Sequence, residues 1–266
     1  MHSDAKTDKL PALPGKPKEW FPLWATVVVA AVWLMAIDLE INLQTLIWGV
    51  QDMGEFISRF TSPDFSRWAQ YLGLMGATLA MAFWGSVIAF MISFVLAPLG
   101  ARNLSPHPVI YRVVREFFNF CRAMPDLLLA LILVSAIGLG PLPGILALGI
   151  STSGFLGKFF AESLERVPAG RYEALASVGA GYMQTLMYAG WPSILREMTG
   201  YTLFILDRNV RMASVLGLVG AGGIGTALST ALRTFNYDRA AAMIIVLLIT
   251  ILLIDYLSAW LRKKLQ

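Results

Sequence analysis

Gly220, Gly222 and Gly225 satisfy G-x-G-x-x-G, the spacing that lets a dinucleotide's pyrophosphate approach a bare backbone turn. They lie in Gly217-Leu218-Val219-Gly220-Ala221-Gly222-Gly223-Ile224-Gly225. The same chemistry needs a strand before the glycines, a helix after them, and an acidic residue about 20 positions further on for the ribose. Asp238 falls too early and Asp255 too late, and residues 240–247 read Ala-Ala-Ala-Met-Ile-Ile-Val-Leu. With no strand and helix alternation around it, the spacing does not read as a nucleotide site.

Two explanations of the glycines stay open. Small residues let membrane helices approach closely, and a glycine-rich break lets irregular backbone line an aqueous path where protein shields it from lipid. Just upstream, Asp207-Arg208-Asn209-Val210-Arg211 interrupts an apolar run. An ionised group at the bilayer centre costs about 2.5–3.5 kcal/mol on insertion scales, so this cluster faces protein or water. Asp207 and Arg211 are spaced i, i+4 and can pair along one helix face. Arg208 is left on another face, where an anion path or a wet helix end would account for it.

Other reactive constellations are missing. His2 and His107 are the only histidines and Cys121 the only cysteine, so neither a His/Cys metal centre nor an internal disulfide is expected. His107 reads as a loop residue without a special role, and no catalytic residue is assigned. A phosphate-cradling loop would need G-x-x-x-x-G-K-[ST]. Gly157-Lys158 is followed by Phe159, with Thr152 at the first glycine position, and Gly15-Lys16 is followed by Pro17. Any ATP hydrolysis therefore belongs to another chain.

The elements that position these residues are membrane helices. The chain of 266 residues is 57% hydrophobic and 14% charged, far from ordinary soluble composition. A spanning helix needs roughly 20 mainly apolar residues, and no charge occurs from Tyr71 to Gly100 or from Leu127 to Gly157. The expectation is an all-α polytopic protein with about six crossings, near 20–37, 73–98, 116–137, 143–161, an interrupted 194–232, and 238–260. A turn at Gly138-Leu139-Gly140-Pro141-Leu142-Pro143-Gly144 separates the third and fourth.

Lys and Arg set the orientation. Lys6, Lys9, Lys16 and Lys18 precede the first span; Arg102, Arg112 and Arg115 follow the second; Lys158, Arg166, Arg171 and Arg196 surround the fourth-to-fifth connection; Arg262, Lys263 and Lys264 end the chain. The positive-inside rule makes that side cytoplasmic, with both termini on it. The net charge of +4 is distributed over juxtamembrane segments, so no nucleic-acid partner is expected. The first span, behind a long polar leader and without a clear cleavage site, is expected to be a retained anchor.

Between the fourth and fifth spans, Tyr172-Glu173-Ala174-Leu175-Ala176-Ser177-Val178-Gly179 reads as a short amphipathic helix ended by glycine. A second helix is expected from Tyr182 to Gly190, before Trp191-Pro192. Such a helix–turn–helix suits docking of a soluble partner; an ordinary connecting loop is the alternative. Here the chain resembles the membrane subunits of binding-protein-dependent ABC importers, whose loop carries Glu-Ala-Ala, three residues, Gly, nine residues, Ile-x-Leu-Pro. Glu173, Ala174, Gly179 and Pro192 stand at matching offsets, while Leu175, Ala189 and Trp191 depart from the pattern with apolar residues. Arg122-Ala123-Met124-Pro125-Asp126, Gly138-Leu139-Gly140-Pro141, Gly157-Lys158-Phe159-Phe160-Ala161-Glu162 and Asn209-Val210-Arg211 with the glycine stretch narrow the resemblance to phosphonate importer permeases, over roughly residues 70–260.

The resemblance implies a type I, MetI-like transmembrane domain over 70–266, with coupling helices at about 162–192. Residues 1–19 would form a cytoplasmic N-terminal segment, and 20–69 a first span with its external loop. It implies a permease for phosphonate, phosphite or hypophosphite in the cytoplasmic (inner) membrane, surrounded by lipid. Its partners would be a second copy of itself, two ATP-binding subunits that hold the ATP and Mg, and a periplasmic or lipid-anchored phosphonate-binding protein. No cofactor or metal is expected on this chain. Glu173, Ala174, Gly179 and Pro192 would couple to the ATPase; Asn209, Arg211, Gly220, Gly222 and Gly225 would border the translocation path. An importer for another small solute, a secondary transporter or channel, and a membrane-embedded enzyme are the alternatives.

Overall fold

The computed structural model describes residues 20–38 and 43–265, which are helical with no strand among them. The expected N-terminal segment 1–19, with its four lysines, lies outside the described residues. Two compact units divide the chain, Met1–Ser58 and Arg59–Gln266. The first contains α1 (Phe21–Asp38), apolar on all sides, and α2 (Leu43–Ser58).

The second unit holds α3 (Trp68–Leu96), α4 (Pro108–Ala123), α5 (Asp126–Ile137) and α6 (Pro141–Arg166). It continues with α7 (Ala169–Ser177), α8 (Tyr182–Thr185), a π turn (Leu186–Gly190), α9 (Trp191–Gly217), α10 (Gly223–Arg233) and α11 (Tyr237–Leu265). By length and apolarity alone, α3, α6 and α11 can each cross a membrane, and α4 with α5 makes a fourth crossing if the bent pair is one span. The other two expected runs fall outside that test for different physical reasons. α1 is short, and α9, though 27 residues long, carries Arg196, Glu197, Asp207, Arg208 and Arg211.

The expected straight span over 116–137 is instead bent by 90° between α4 and α5. Pro125 causes it: the residue before a proline is pushed out of the helical region, and Met124 sits at ψ 120°. The helix also starts earlier than expected, at Pro108, because His107 caps it. Its Nδ1 accepts from Val109 N at 3.1 Å, so the loop histidine has a structural task.

Close packing of α3 on α6 sets the frame. A Cβ on Gly85 would come within 2.8 Å of Leu148 Cβ, and one on Gly149 within 2.7 Å of Ile88 Cγ2. Glycines at these points bring the two backbones together, as expected where dispersion rather than water drives helix association. Gly154 does the same for α4, whose Phe118 carbonyl a Cβ there would approach to 2.6 Å.

Two apolar cores stack along these helices. One gathers Met81, Leu148, Leu216, Ile224 and Met243; the other gathers Leu156, Phe160, Leu164, Trp191 and Ile205. α3, α6 and α9 run through both, so the turn after Gly217 and the loop after Arg166 lie at opposite ends of the bundle. α6 alone separates them by about 39 Å, 26 residues at 1.5 Å each.

Candidate functional site

The charged segment of α9 is packed at the centre of the second unit, and each of its three polar faces has a different neighbour. Arg211 Nη1 pairs with Asp207 Oδ2 at 2.7 Å, the i, i+4 pair that the spacing allows. The carboxylate is buried at 6% exposure while the guanidinium is 44% exposed, so a solute reaching this face meets the positive partner.

Arg208, which the spacing left without a partner, donates from Nη2 to Asp126 Oδ2 at 2.7 Å. Asp126 opens α5 just beyond the Pro125 bend, so the bend is what delivers the counter-charge. Phe155 on α6 completes the cluster: the guanidinium carbons of Arg208 and Arg122 each lie 5.0 Å from its ring centre. Such cation–π contacts gain strength where water is excluded.

Asn209 points the third way and is fully buried. Its Nδ2 donates to Ser86 Oγ on α3 at 2.9 Å and lies 3.4 Å from Thr152 Oγ1 on α6. Asp207 Oδ1, Arg208 Nη1 and Asn209 Oδ1 have no hydrogen-bond partner. Three consecutive residues of α9 thus carry buried polar atoms without a protein partner, each costing about 1–3 kcal/mol unless water or a solute supplies one.

After α9 the glycines divide into two tasks. Gly220, Gly222 and Gly223 take φ of 96°, 87° and 71°, the left-handed region that a side chain resists, and so form the break between α9 and α10. Gly217 and Gly225 instead let the two helices touch: a Cβ on Gly217 would sit 2.7 Å from Gly222 O, and one on Gly225 would strike Ser214 O. A glycine break and close helix packing through glycine therefore both occur, at different residues. Gly140 N donates to Gly220 O at 3.1 Å and Ile224 N to Thr78 Oγ1 at 2.9 Å, fixing the turn to the α5–α6 connection and to α3. A helix, not a strand, precedes the glycines, which removes the dinucleotide reading.

Of the five residues expected on a path, Arg211 is half-exposed, and Gly220 and Gly222 border separate cavities. Asn209 and Gly225 lie inside the helix packing of this conformation.

At the opposite end, α7 presents Glu173 and Ala174 to the outside, and Gly179 at φ 81° turns the chain toward α8. The expected helix 182–190 is one α turn followed by the π turn, which runs directly into α9 with Pro192 in its first turn. α7 is anchored at its base. Tyr172 Oη donates to Leu164 O at 3.1 Å and Arg171 Nη1 to Ser193 Oγ at 2.8 Å. Burial pushes the Tyr172 phenol up, so it stays a donor. Beneath it, Arg115 pairs with Glu165 at 2.7 Å and Arg166 with Glu197 at 2.6 Å, tying α4, α6 and α9 into one block. Val178 stands 77% exposed beside the Gly179 turn, leaving an apolar and acidic surface on a rigid footing.

Residues 92–266 match the family described as the binding-protein-dependent transport system inner membrane component. The chain belongs to this family. A phosphite transport system permease protein, PtxC of Stutzerimonas stutzeri, is 37% identical over 89% of this chain and 85% of its own length. A phosphate-import permease protein, PhnE of Mycolicibacterium smegmatis, is 39% identical over 85% of this chain and 43% of its own length. Among solved structures, an inward-facing MetNI methionine ABC transporter superposes with a TM-score of 0.63 at 22% identity, covering 73% of this chain and 95% of that one. The MetI-like fold expected from the sequence is thereby shared.

As an inner membrane component of a binding-protein-dependent importer, the protein is a permease and not an enzyme. Among the described residues no cluster of His, Cys, Asp and Glu could hold a metal. Sequence reasoning missed Asp126, Phe155, Ser86 and Thr152 as partners of the α9 segment. Asp126 left a trace, being the lone acid between Glu116 and Glu162; the neutral three left none, because serine, threonine and phenylalanine are ordinary in membrane helices.

Proposed function

We propose that this permease forms the inner-membrane path for a small phosphorus oxyanion, phosphonate, phosphite or a close relative, in an ATP-driven importer. The observation that carries the reading is the likeness to a phosphite permease over 85% of that protein's length. The half-exposed guanidinium of Arg211, beside a carboxylate turned inward, supports it.

In this reading the permease works as a dimer with two ATP-binding subunits, which hold ATP and Mg, and a periplasmic or lipid-anchored binding protein. The surface of Glu173, Ala174 and the Gly179 turn docks into the ATPase, with Pro192 fixing where α9 begins. Because α9 runs from that footing to the glycine break, a rotation imposed at one end is carried to the other by a single helix. Arg211 draws the anion electrostatically, and its standing pair with Asp207 keeps the attraction weak enough for release. Both termini face the cytoplasm.

The test is uptake of labelled phosphite and methylphosphonate by cells lacking their own systems and supplied with this permease and its neighbours. ATP-dependent accumulation is expected. Accumulation of neither, by a complex that assembles, would sink the cargo assignment.

A further inference from the structure

We propose that a groove between α3, α10 and the first turn of α11 receives a phosphorus oxyanion at the end of the bundle opposite α7. The inference rests on the cargo reading above and adds a site to it.

The groove encloses about 480 Å³, and no carboxylate is among the residues that line it. Arg67 and Arg239 line its outer end, where α3 and α11 begin, together with the amides of Gln70 and Asn236. These donors come from the starts of two helices, α3 and α11, and a tetrahedral ion with several oxygens can use them where an apolar solute cannot. Arg239 Nε makes a long ion pair with Asp64 Oδ2 at 3.8 Å, beyond hydrogen-bond distance, so an oxyanion would compete with that carboxylate for the guanidinium. Asp64 also accepts from Ser66 N at 2.9 Å, and hydrogen bonding from Ser66, helped by the charges of Arg239 and Arg67, holds its carboxyl below the usual range.

Deeper in the wall is Tyr71, 3% exposed, whose hydroxyl has no partner. A buried phenol normally finds one; this hydroxyl is sealed behind the groove wall, so an oxyanion would supply it only with a side-chain shift that opens the wall. Two helices also begin beside these donors, α3 after Arg67 and α11 after Asn236, each bringing the positive end of its dipole. The deep end is the glycine turn itself, since Gly222 and Gly223 close the groove. From there to the rim is about 16 Å, the length of α10 at 1.5 Å per residue.

The volume exceeds a five-atom ion by many waters of about 30 Å³ each, so the ion enters hydrated and binds weakly, as a transport intermediate should. A phospholipid headgroup offers the same chemistry as free phosphate, and the test separates the two.

The complete transporter, in nanodiscs and without its binding protein, would be titrated with methylphosphonate and with inorganic phosphate while ³¹P line broadening is followed. Saturable binding is expected, weakened about tenfold in Arg239→Gln and about two- to tenfold in Tyr71→Phe. The second variant keeps the ring and removes only the hydroxyl, so it reports even if Arg239→Gln fails to assemble. Equal binding in wild type and both variants would overturn the site. So would a phospholipid, seen by native mass spectrometry, that leaves with either variant while free anions never bind. A wild-type complex that binds phosphate here yet takes up no phosphorus oxyanion would refute the cargo reading and spare the groove; uptake with unaltered binding in the variants would do the reverse.

Discussion

Arg208 on α9 and Asp126 on α5 form an ion pair at 2.7 Å with the carboxylate 6% exposed, joining the bent pair of helices to the charged break. The bend at Pro125 makes this pair possible, because a straight helix would not start a new first turn at Asp126.

Asp126→Asn is therefore expected to destabilise the permease by about 3–5 kcal/mol, the range for stranding one partner of a buried pair. Adding Arg208→Gln should recover much of that loss, since no charge is then left uncompensated. Thermal unfolding of the purified single and double variants measures it. A double variant no better than Asp126→Asn alone would mean that the pair is not coupled.

The Asp207–Arg211 pair predicts a split between assembly and transport. Arg211→Ala should lower uptake in reconstituted vesicles while leaving the complex assembled, with stability reduced by the buried, uncompensated Asp207 charge. Asp207→Asn combined with Arg211→Gln should restore stability and leave uptake low. Uptake that returns with stability would make Arg211 purely structural.

Glycine substitutions are expected to rank by mechanism. Gly200→Ala, in α9 with nothing within 4 Å of the added carbon, should gain up to about 1 kcal/mol from helix propensity. Gly222→Ala, at φ 87°, should lose about 1–2 kcal/mol from left-handed strain. Gly225→Ala drives its Cβ onto the Ser214 carbonyl and should reach or pass the ~3 kcal/mol upper range of overpacking. Melting temperatures of the three variants in one detergent give the order directly.

These glycines also show how far the sequence carried. The helical class, the interruption near 218–222 and the turn at Gly179 followed from uncharged runs and glycine spacing, which are local properties. That Gly220 bends and Gly225 packs was not readable, because the distinction depends on where α9 and α10 meet. The α4–α5 angle was missed for a related reason: the apolar residues on either side of Arg122-Ala123-Met124-Pro125-Asp126 outweighed the proline between the two charges. Arg208 had an evident need for a partner, but its identity required the fold, the two charges being 82 positions apart.

At the cytoplasmic surface of the proposed complex, Val178→Asp should weaken co-purification with the ATPase and leave the permease's own melting temperature unchanged, since Val178 touches little of its own chain at 77% exposure. Gly179→Ala meets no atom within 4 Å, so its effect is limited to about 1–2 kcal/mol of backbone strain. Full ATPase retention in Val178→Asp would remove this turn from the docking surface.

Asn209 decides whether the α9 break touches cargo or only holds helices together. Its amide reaches Ser86 and Thr152, but both hydroxyls already donate within their own helices, to Ala82 O and Leu148 O. Removing the amide therefore strands no donor, and its own Oδ1 has no partner to lose. Asn209→Leu, close in size, should cost no more than about 1.5 kcal/mol, the limit for a net hydrogen bond. If the residue is only a spacer between α3, α6 and α9, uptake by Asn209→Leu will match wild type at equal membrane abundance. If the bundle opens during transport and exposes the amide, maximal uptake will fall while melting stays near wild type, and that dissociation of rate from stability would put Asn209 on the path.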